Sequence, residues 1–375
     1  MFNIRQKFHN FMINHWLKVA NNFYVSHNYD KAIKLYDKIL YLDNKNYAAN
    51  CNLATAYFLN NDYKKAQPYF EYLQKVDSQN PWWQTYLSQI YQKQKSYRKA
   101  LKAAWNSVKI SHGASEHQVN LAYALYEIAE IKGKDFILDM VQKFYQKYPD
   151  SGVAQQCYHT FLHLQKTAIC NSEYIEKIFD IFAPEFETTL NRLQYNSPQM
   201  IAHYLADICR NYSTLHVLDL GCGTGMCGAN IKKNLPQAVL WGVDISAQML
   251  AEADAKKIYN QLAKNDIISY LKTSKSQFDV IVASDVLTYF GMLDEVIALT
   301  YSHLSPNGIF IFTVSQNNLN RQSYFLTPSS RFVHQFSYVK KVLAKVGFSR
   351  IKSHKEVIRK EGKKDVIGGI FIAVK

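Results

Sequence analysis

The sequence predicts a protein of the α + α/β class with two domains: a helical repeat array over residues 1–168 and an open α/β sheet over residues 169–375. Two observations predict this division. The first part repeats with a 34-residue period, and the second alternates apolar runs with helical patterns. The 375 residues are 48% hydrophobic and 20% charged, which permits hydrophobic cores and excludes a disordered chain.

The helical period is visible in a Tyr-x-x-Ala pattern. Tyr29, Tyr63 and Tyr97 lie 34 residues apart, and each is followed three positions later by alanine. Small residues at fixed positions let the two helices of a repeat approach closely. This spacing resembles that of tetratricopeptide (TPR) repeats. The resemblance implies an N-terminal TPR-like α-helical solenoid that binds a protein partner, with degenerate or capping helices over about 111–168.

The second half predicts an open sheet with helices on both faces. Apolar runs that read as buried parallel strands lie at 216–220, 238–243, 278–284 and 309–314. Helical patterns that supply the crossovers lie near 225–234, 246–257 and 292–304. Two final strands, antiparallel at the sheet edge, are predicted at 350–360 and 368–375. In such sheets, ligands bind at the carboxyl ends of the strands.

A glycine-rich loop follows the first strand, at 221–225. Glycines let the backbone turn sharply and let a ligand approach the amides. Asp219 precedes the loop, and Asp244 ends the next strand, where a carboxylate can accept two hydrogen bonds from a ribose diol. The pyrophosphate-binding pattern G-x-G-x-x-G is absent because Met226 replaces its third glycine, and Asp219 would repel a pyrophosphate but could receive an ammonium. The loop therefore argues against NAD.

The run VLDLGCGTG at 217–225 resembles the first motif of class I S-adenosyl-L-methionine-dependent methyltransferases. The resemblance covers about residues 175–375 and implies a Rossmann-like seven-stranded domain with S-adenosyl-L-methionine as cofactor. It assigns cofactor binding to Asp219, Gly221, Cys222, Gly223, Gly225, Asp244, Ile245, Asp266, Ile267 and Ser284. The run after the fourth strand lacks the Asn/Asp-Pro-Pro-aromatic tetrad of base N-methyltransferases, so methylation of nucleic-acid bases is disfavoured.

The acceptor site is predicted from position, at the ends of the fourth and fifth strands. Asp285, Tyr289 and His334 are the candidate catalytic residues, and Arg331 and Tyr338 the candidate substrate-binding residues. His334 is either a general base or substrate ligand, or a structural histidine on a helix surface. Arg331 either pairs with a substrate carboxylate or phosphate, or forms a surface salt bridge.

The net charge of the chain does not identify the methyl acceptor. The chain has a net charge of +14, and 36 of its 44 basic residues are lysine, which makes nucleic acid the less favoured partner. The favoured function is methyl transfer to a small-molecule or carrier-bound acceptor. One alternative is methylation of a protein or RNA recruited by the basic repeats and the basic C-terminal tail, and another is a non-catalytic TPR scaffold.

The remaining expectations concern metals and location. The six cysteines show no zinc-ligand spacing, so no metal is expected. The sequence has no apolar run long enough to span a membrane and no signal-peptide pattern, so we expect a cytoplasmic protein.

Overall fold

The chain packs as two compact units, Met1–Met140 and Val141–Lys375. The computed structural model describes residues 2–162, 168–210, 213–317, 322–361 and 364–375. The division differs from the expected boundary at 168/169 because the helical segment after 140 packs within the second unit. There, Thr160 Oγ1 lies 2.8 Å from Ser330 Oγ, and Gln156 Nε2 lies 3.5 Å from the same oxygen.

The first unit is helical throughout its described elements, and each helix packs against the next along the chain. The helices are α1 (Phe2–Val25), α2 (Tyr29–Leu42), α3 (Tyr47–Leu59), α4 (Tyr63–Val76), α5 (Pro81–Lys93), α6 (Tyr97–Ile110) and α7 (Ser115–Lys132). Helices α2, α4 and α6 begin at the three tyrosines of the 34-residue period. The alanines that follow them, Ala32, Ala66 and Ala100, are fully buried because their methyl groups leave room for a neighbouring helix.

The second unit alternates strands and helices. Its helices are α8 (Leu138–Lys147), which begins at the end of the first unit, α9 (Gly152–Leu162), α10 (Ser172–Phe182), α11 (Phe186–Arg192), α12 (Ser197–Ile208), α13 (Met226–Asn234), α14 (Ala247–Ala255), α15 (Ile267–Thr273), α16 (Asp294–Ser302) and α17 (Phe336–Val346). Its strands are β1 (Leu215–Leu220), β2 (Ala238–Asp244), β3 (Gln261–Lys264), β4 (Phe278–Ala283), β5 (Leu304–Ser315), β6 (Tyr324–Leu326), β7 (Phe332–His334), β8 (Ser349–Glu361) and β9 (Lys364–Val374). Within the described ranges, no helix is long and apolar enough to cross a membrane.

The main sheet has seven strands in the order β3-β2-β1-β4-β5-β9-β8. Strands β1 to β5 pair in parallel, and β9 pairs antiparallel with both β5 and β8. The predicted parallel strands and the antiparallel edge pair are confirmed. The strand order reverses direction between β1 and β4, so the crevice for a ligand is expected at the carboxyl ends of these two strands.

Both faces of the sheet are covered, which explains the continuous apolar runs. Val217, Val280 and Ile311 belong to one buried cluster, whereas their chain neighbours Leu218 and Ile281 belong to another. Successive side chains of a strand point to opposite faces, so a strand covered by helices on both sides must be apolar at every position. This packing fixes the strand ends that carry the candidate site.

A short hairpin lies between β5 and α17. Strands β6 and β7 pair antiparallel, with Tyr324 opposite His334 and Leu326 opposite Phe332. The sequence did not predict this hairpin, because two three-residue strands are too short to show an alternating pattern. Arg331 directly precedes β7, so the hairpin determines where its side chain lies.

Candidate active site

A cavity lies at the carboxyl ends of the central strands. It encloses about 980 Å³ of empty space, part of it open to solvent. Gly221 and Asp285 line it from the segments after β1 and β4, and Asp244 from the end of β2. Phe179 and Phe186 line it from α10 and α11. The cavity therefore lies at the reversal of strand order.

The glycine loop forms one wall of the cavity. Gly221 and Gly223 have φ values of 66° and 54°, in the left-handed region that favours glycine. The backbone N–H groups of Gly221 and Cys222 both donate to the carbonyl oxygen of Val243, at 2.8 and 3.0 Å, and so tie the loop to the end of β2. A Cβ at Gly221 would collide with Val286, whereas one at Gly223 would meet only Phe186, at 3.8 Å. Gly223 therefore leaves space beside the loop that any larger residue would fill.

Asp244 lies at the end of β2 and faces the cavity. Its Oδ2 accepts from the Gly223 N–H at 2.8 Å, and its Oδ1 accepts from the Ser246 N–H at 2.9 Å. Burial raises the pKa of Asp244, and the hydrogen bonds from Ser246 and Gly223 oppose that rise. Each carboxylate oxygen keeps a second lone pair that could accept a hydroxyl group. These features fit the hydroxyl pair of a ribose.

Asp219 lies outside the cavity lining formed by the described residues. Its side chain is fully buried, and its Oδ2 accepts from the Tyr259 hydroxyl at 2.7 Å. This placement differs from the expectation that Asp219 receives the ammonium of the cofactor. Burial raises the pKa of Asp219 from 3.8 to about 7, and the nearby charge of Asp244 adds to the rise. The other carboxylate oxygen, Oδ1, has no hydrogen-bond partner among the described residues.

The other residues expected at the cofactor fall into two groups. The structure brings Ile245, Asp266, Ile267 and Ser284 to the cavity, together with Gly221, Gly223 and Asp244. Cys222 and Gly225 lie outside the lining. The Cys222 side chain is buried and packs towards Gly242, and Gly225, with a φ of 87°, forms the left-handed N-cap of α13.

The segment containing α10 and α11 lies over the cavity and is tied to the loops beneath it. Asp180 Oδ1 accepts from the Ser246 hydroxyl at 2.7 Å, and Glu187 Oε1 accepts from both Thr224 Oγ1 and Lys256 Nζ at 2.7 Å. Burial opposes ionisation of Glu187, but the hydrogen bonds from Lys256 and Thr224 outweigh it and lower its pKa. Hydrogen bonds thus join the α10–α11 segment to the glycine loop and to the segment after β2.

Asp285, Tyr289 and Arg331 also line the cavity, as expected. The Asp285 backbone adopts a left-handed φ of 54°, and its N–H donates to Thr313 Oγ1 at 2.8 Å. Its carboxylate accepts from Arg359 Nη1 at 3.1 and 3.3 Å and from Arg331 Nη1 at 3.4 Å. Asp285 therefore serves as a counter-ion for two guanidinium groups.

His334 and Tyr338 lie outside the cavity lining of the described residues, unlike the other acceptor candidates. His334 is fully buried at the end of β7, with Nε2 2.8 Å from the Phe290 carbonyl oxygen and 3.1 Å from that of Gly291. Because carbonyls only accept, Nε2 carries the proton, and burial lowers the pKa of His334 to about 4. The Tyr338 hydroxyl accepts from the Leu293 N–H at 2.9 Å. We therefore propose no role for either in the reaction.

Several residues of the site were not predicted from the sequence. Asn265 lines the cavity directly before Asp266, so its position in the same short loop could have indicated it. Phe179 lies on α10 together with two other aromatic residues, Tyr174 and Phe182. The sequence does not show which of the three lines the cavity; the packing of the helix does. Arg359 comes from β8, far along the chain, and no local pattern indicates that it meets Asp285.

The buried carboxyl of Asp219 gives a prediction for stability. Because its folded pKa lies above 3.8, its contribution is fully present below about pH 4 and is lost as the pH rises through about 7. The free energy of unfolding of the wild type, minus that of Asp219→Asn, should therefore fall between pH 4 and pH 8. Urea denaturation at a series of pH values measures it. The exposed variant Asp254→Asn is the control, and a difference for Asp219→Asn that stays constant or grows with pH contradicts the assignment.

Comparison with known proteins gives one family match. Residues 218–310 match the family model described as "Methyltransferase domain". They include the end of β1, the glycine loop, β2, β3 and β4, and hence the strand ends that line the cavity.

Two curated relatives are also methyltransferases. Trans-aconitate 2-methyltransferase of Deinococcus radiodurans is 32% identical over 114 residues, covering 30% of this chain and 43% of that protein. Malonyl-[acyl-carrier protein] O-methyltransferase of Halalkalibacterium halodurans is 38% identical over 102 residues, covering 26% of this chain and 38% of that protein. A SAM-dependent methyltransferase from Archaeoglobus fulgidus aligns with a TM-score of 0.40 at 18% identity, over 51% of this chain and 99% of that one.

The chain thus spans less than half the length of these two curated relatives. The part that the family model matches, residues 218–310, contains the strands and loops that line much of the cavity. The family model and the curated relatives together support a methyltransferase domain in this part of the chain.

Proposed function

We propose that this protein is an S-adenosylmethionine-dependent methyltransferase that acts on a small-molecule or carrier-bound acceptor. The observation that carries the proposal is the Asp244 carboxylate, which faces the cavity while Gly223 and Ser246 hold it in place. A buried carboxylate beside a glycine loop accepts the two hydroxyl groups of a ribose. The match of residues 218–310 to a methyltransferase domain supports the same cofactor.

The residues of the β2 and β3 side would hold the cofactor. Asp244 would bind the ribose, and Ile245 and Ile267 would offer apolar contact to a base, with Asp266 at the start of α15. Gly223 would leave space for the amino-acid part of the cofactor, and Gly221 lines the cavity beside it. The cofactor supplies a methyl group on a sulfonium, so the protein has to align the acceptor and exclude water rather than activate the donor.

The β4 side would receive the acceptor. Tyr289 and Arg331 lie on this side, and Phe179 of α10 packs edge-on against Tyr289 with ring centroids 5.7 Å apart. Aromatic side chains above and beside the cavity exclude water from the reacting groups. We assign Tyr289 to positioning the acceptor, and Asp285 to holding the two arginines.

We further propose that the helices of the first unit, α1 to α7, form a TPR-like domain that binds a protein partner. The 34-residue period, the helix starts at Tyr29 and Tyr63, and the buried alanines after them support a repeat array. Tyr41 and Trp82 have exposed fractions of 90% and 43%, and exposed aromatic side chains are typical of protein interfaces.

The first experiment compares two cofactors that contain adenosine, S-adenosylmethionine and NAD, by titration calorimetry. We expect micromolar binding of S-adenosylmethionine and no binding of NAD. Binding of NAD alone, or of neither, contradicts the proposal.

Transfer of a labelled methyl group then tests the acceptor class. The names of the two relatives supply trans-aconitate and malonyl-acyl-carrier protein as acceptors to include, beside other small acids and amines. Label in a small molecule or carrier is the expected result. Label that enters only protein or RNA, in a reaction suppressed by salt, favours the macromolecular alternative and contradicts the small-acceptor proposal.

Substitution of Asp244 tests the site. Asp244→Asn keeps the size of the side chain but removes its charge, so binding of S-adenosylmethionine should weaken by about 1–3 kcal/mol. Calorimetry measures the change, with the exposed variant Asp254→Asn as the matched control. Wild-type affinity in Asp244→Asn would place the cofactor elsewhere.

A further inference from the structure

Two hydroxyl groups meet in the cavity beside the glycine loop. The Tyr195 hydroxyl lies 2.9 Å from Ser284 Oγ, and both residues line the cavity together with Gly221. Ser284 directly follows β4, the strand that pairs with β1. A Cβ at Gly221 would collide with Val286, so the segment that carries Ser284 lies against the glycine loop. The hydroxyl pair therefore lies in the part of the cavity proposed for the amino-acid part of the cofactor.

The position of Tyr195 is fixed by the fold. It lies in the loop between α11 and α12, and backbone hydrogen bonds attach this loop to β8 on both sides of Tyr195. The Lys360 N–H donates to the Leu193 carbonyl oxygen at 2.7 Å, and the Asn196 N–H donates to the Ile358 carbonyl oxygen at 3.0 Å. A side chain on a fixed backbone loses less freedom when it binds a ligand.

The Tyr195 hydroxyl is uncharged at neutral pH. Burial raises the pKa of Tyr195, and the nearby negative charge of Asp285 adds to the rise, while the hydroxyl groups of Ser284 and Ser197 oppose it. Asp285 thus opposes a further negative charge beside this hydroxyl, such as that of a ligand carboxylate.

The hydroxyl pair offers more acceptors than donors. Two hydroxyl groups carry two hydrogens and four lone pairs, and the bond between them uses one of each, so up to three lone pairs and one hydrogen remain. An ammonium group has three N–H donors and no acceptor, whereas a carboxylate only accepts. Of the two charged groups of an amino acid, the pair therefore matches the ammonium better.

The carboxylate that was expected to receive the ammonium lies elsewhere. Asp219 is fully buried outside the cavity lining of the described residues, and its Oδ2 accepts from the Tyr259 hydroxyl at 2.7 Å. Asp285 does line the cavity, but its carboxylate accepts from Arg359 and Arg331. An ammonium beside the glycine loop therefore needs acceptors of another kind.

We propose that the hydroxyl pair of Tyr195 and Ser284 binds the ammonium of the cofactor's amino-acid part, the role expected of Asp219. This inference rests on the proposed function and assigns further binding residues in the same site. The two hydroxyl oxygens accept N–H groups of the ammonium and so anchor the end of the cofactor opposite the ribose. The loop before α12 then binds the cofactor directly.

Titration calorimetry of the full chain with four ligands tests the proposal. S-adenosylhomocysteine carries both charged groups of the amino-acid part, S-adenosyl-4-thiobutyrate lacks the ammonium, S-adenosyl-3-thiopropylamine lacks the carboxylate, and 5′-methylthioadenosine lacks both. We expect the wild type to bind S-adenosylhomocysteine at least about 10-fold more tightly than the thiobutyrate, because hydrogen bonds to charged groups are among the stronger ones in proteins. Equal affinity for these two ligands overturns the proposal.

The variant Tyr195→Phe keeps the ring and removes the hydroxyl. It should bind S-adenosylhomocysteine about 10-fold more weakly than the wild type but the thiobutyrate equally well, so the ratio of the two affinities falls. Ser284→Ala should lower the same ratio, and unchanged binding of 5′-methylthioadenosine shows that the site is intact. Tyr204→Phe is the matched control, because it removes a hydroxyl that bonds Glu356 outside the cavity lining of the described residues. A wild-type ratio in both Tyr195→Phe and Ser284→Ala contradicts the proposal.

Two other results would also overturn it. If Asp219→Asn lowers the ratio and Tyr195→Phe does not, Asp219 holds the ammonium. If Tyr195→Phe instead removes the preference for S-adenosylhomocysteine over the thiopropylamine, the pair binds the carboxylate. In either case the continued binding of 5′-methylthioadenosine leaves the cofactor site standing. A wild type that binds none of the four ligands refutes the proposed function as well.

Discussion

The proposed cofactor site depends on the two hydrogen bonds that hold the Asp244 carboxylate. One joins the end of β2 to the glycine loop through the N–H of Gly223, and the other joins it to the start of α14 through the N–H of Ser246. The first requires the left-handed backbone at Gly223, which any residue with a Cβ adopts at a cost. The ends of two neighbouring strands are thereby locked, and each oxygen of the carboxylate keeps a lone pair for a ligand.

Charge is distributed unevenly along this edge of the sheet. Asp244 ends β2 and Asp266 follows β3, whereas Asp285, Arg331 and Arg359 meet at the end of β4, on the other side of β1. Strands two positions apart are separated by about 10 Å. The two acids thus lie near the proposed hydroxyl groups of the cofactor, and the two arginines lie on the side of the proposed acceptor. The electrostatic field of the cavity would then orient the two ligands.

The sequence predicted the features that depend on residues close together in the chain. Buried strands are visible as apolar runs, and the glycine loop and Asp244 could be assigned from turn geometry and spacing. Contacts between distant segments could not be predicted in this way. Arg359 reaches Asp285 only because β8 returns to the sheet beside β9, and His334 was expected at the acceptor because the hairpin that buries it is too short to be recognised. Asp219 lies in the predicted strand, but its carboxylate accepts a hydrogen bond from Tyr259, a residue of a later segment, and does not line the cavity.

The central claim is that the cavity beside Asp244 holds S-adenosylmethionine. A crystal structure of the full chain with S-adenosylhomocysteine tests it most directly. We predict electron density for the ligand in this cavity, with the ribose hydroxyl groups within hydrogen-bond distance of the Asp244 carboxylate and the sulfur on the side of Asp285. Ligand bound at another place, or in this cavity with its ribose away from Asp244, would contradict the account.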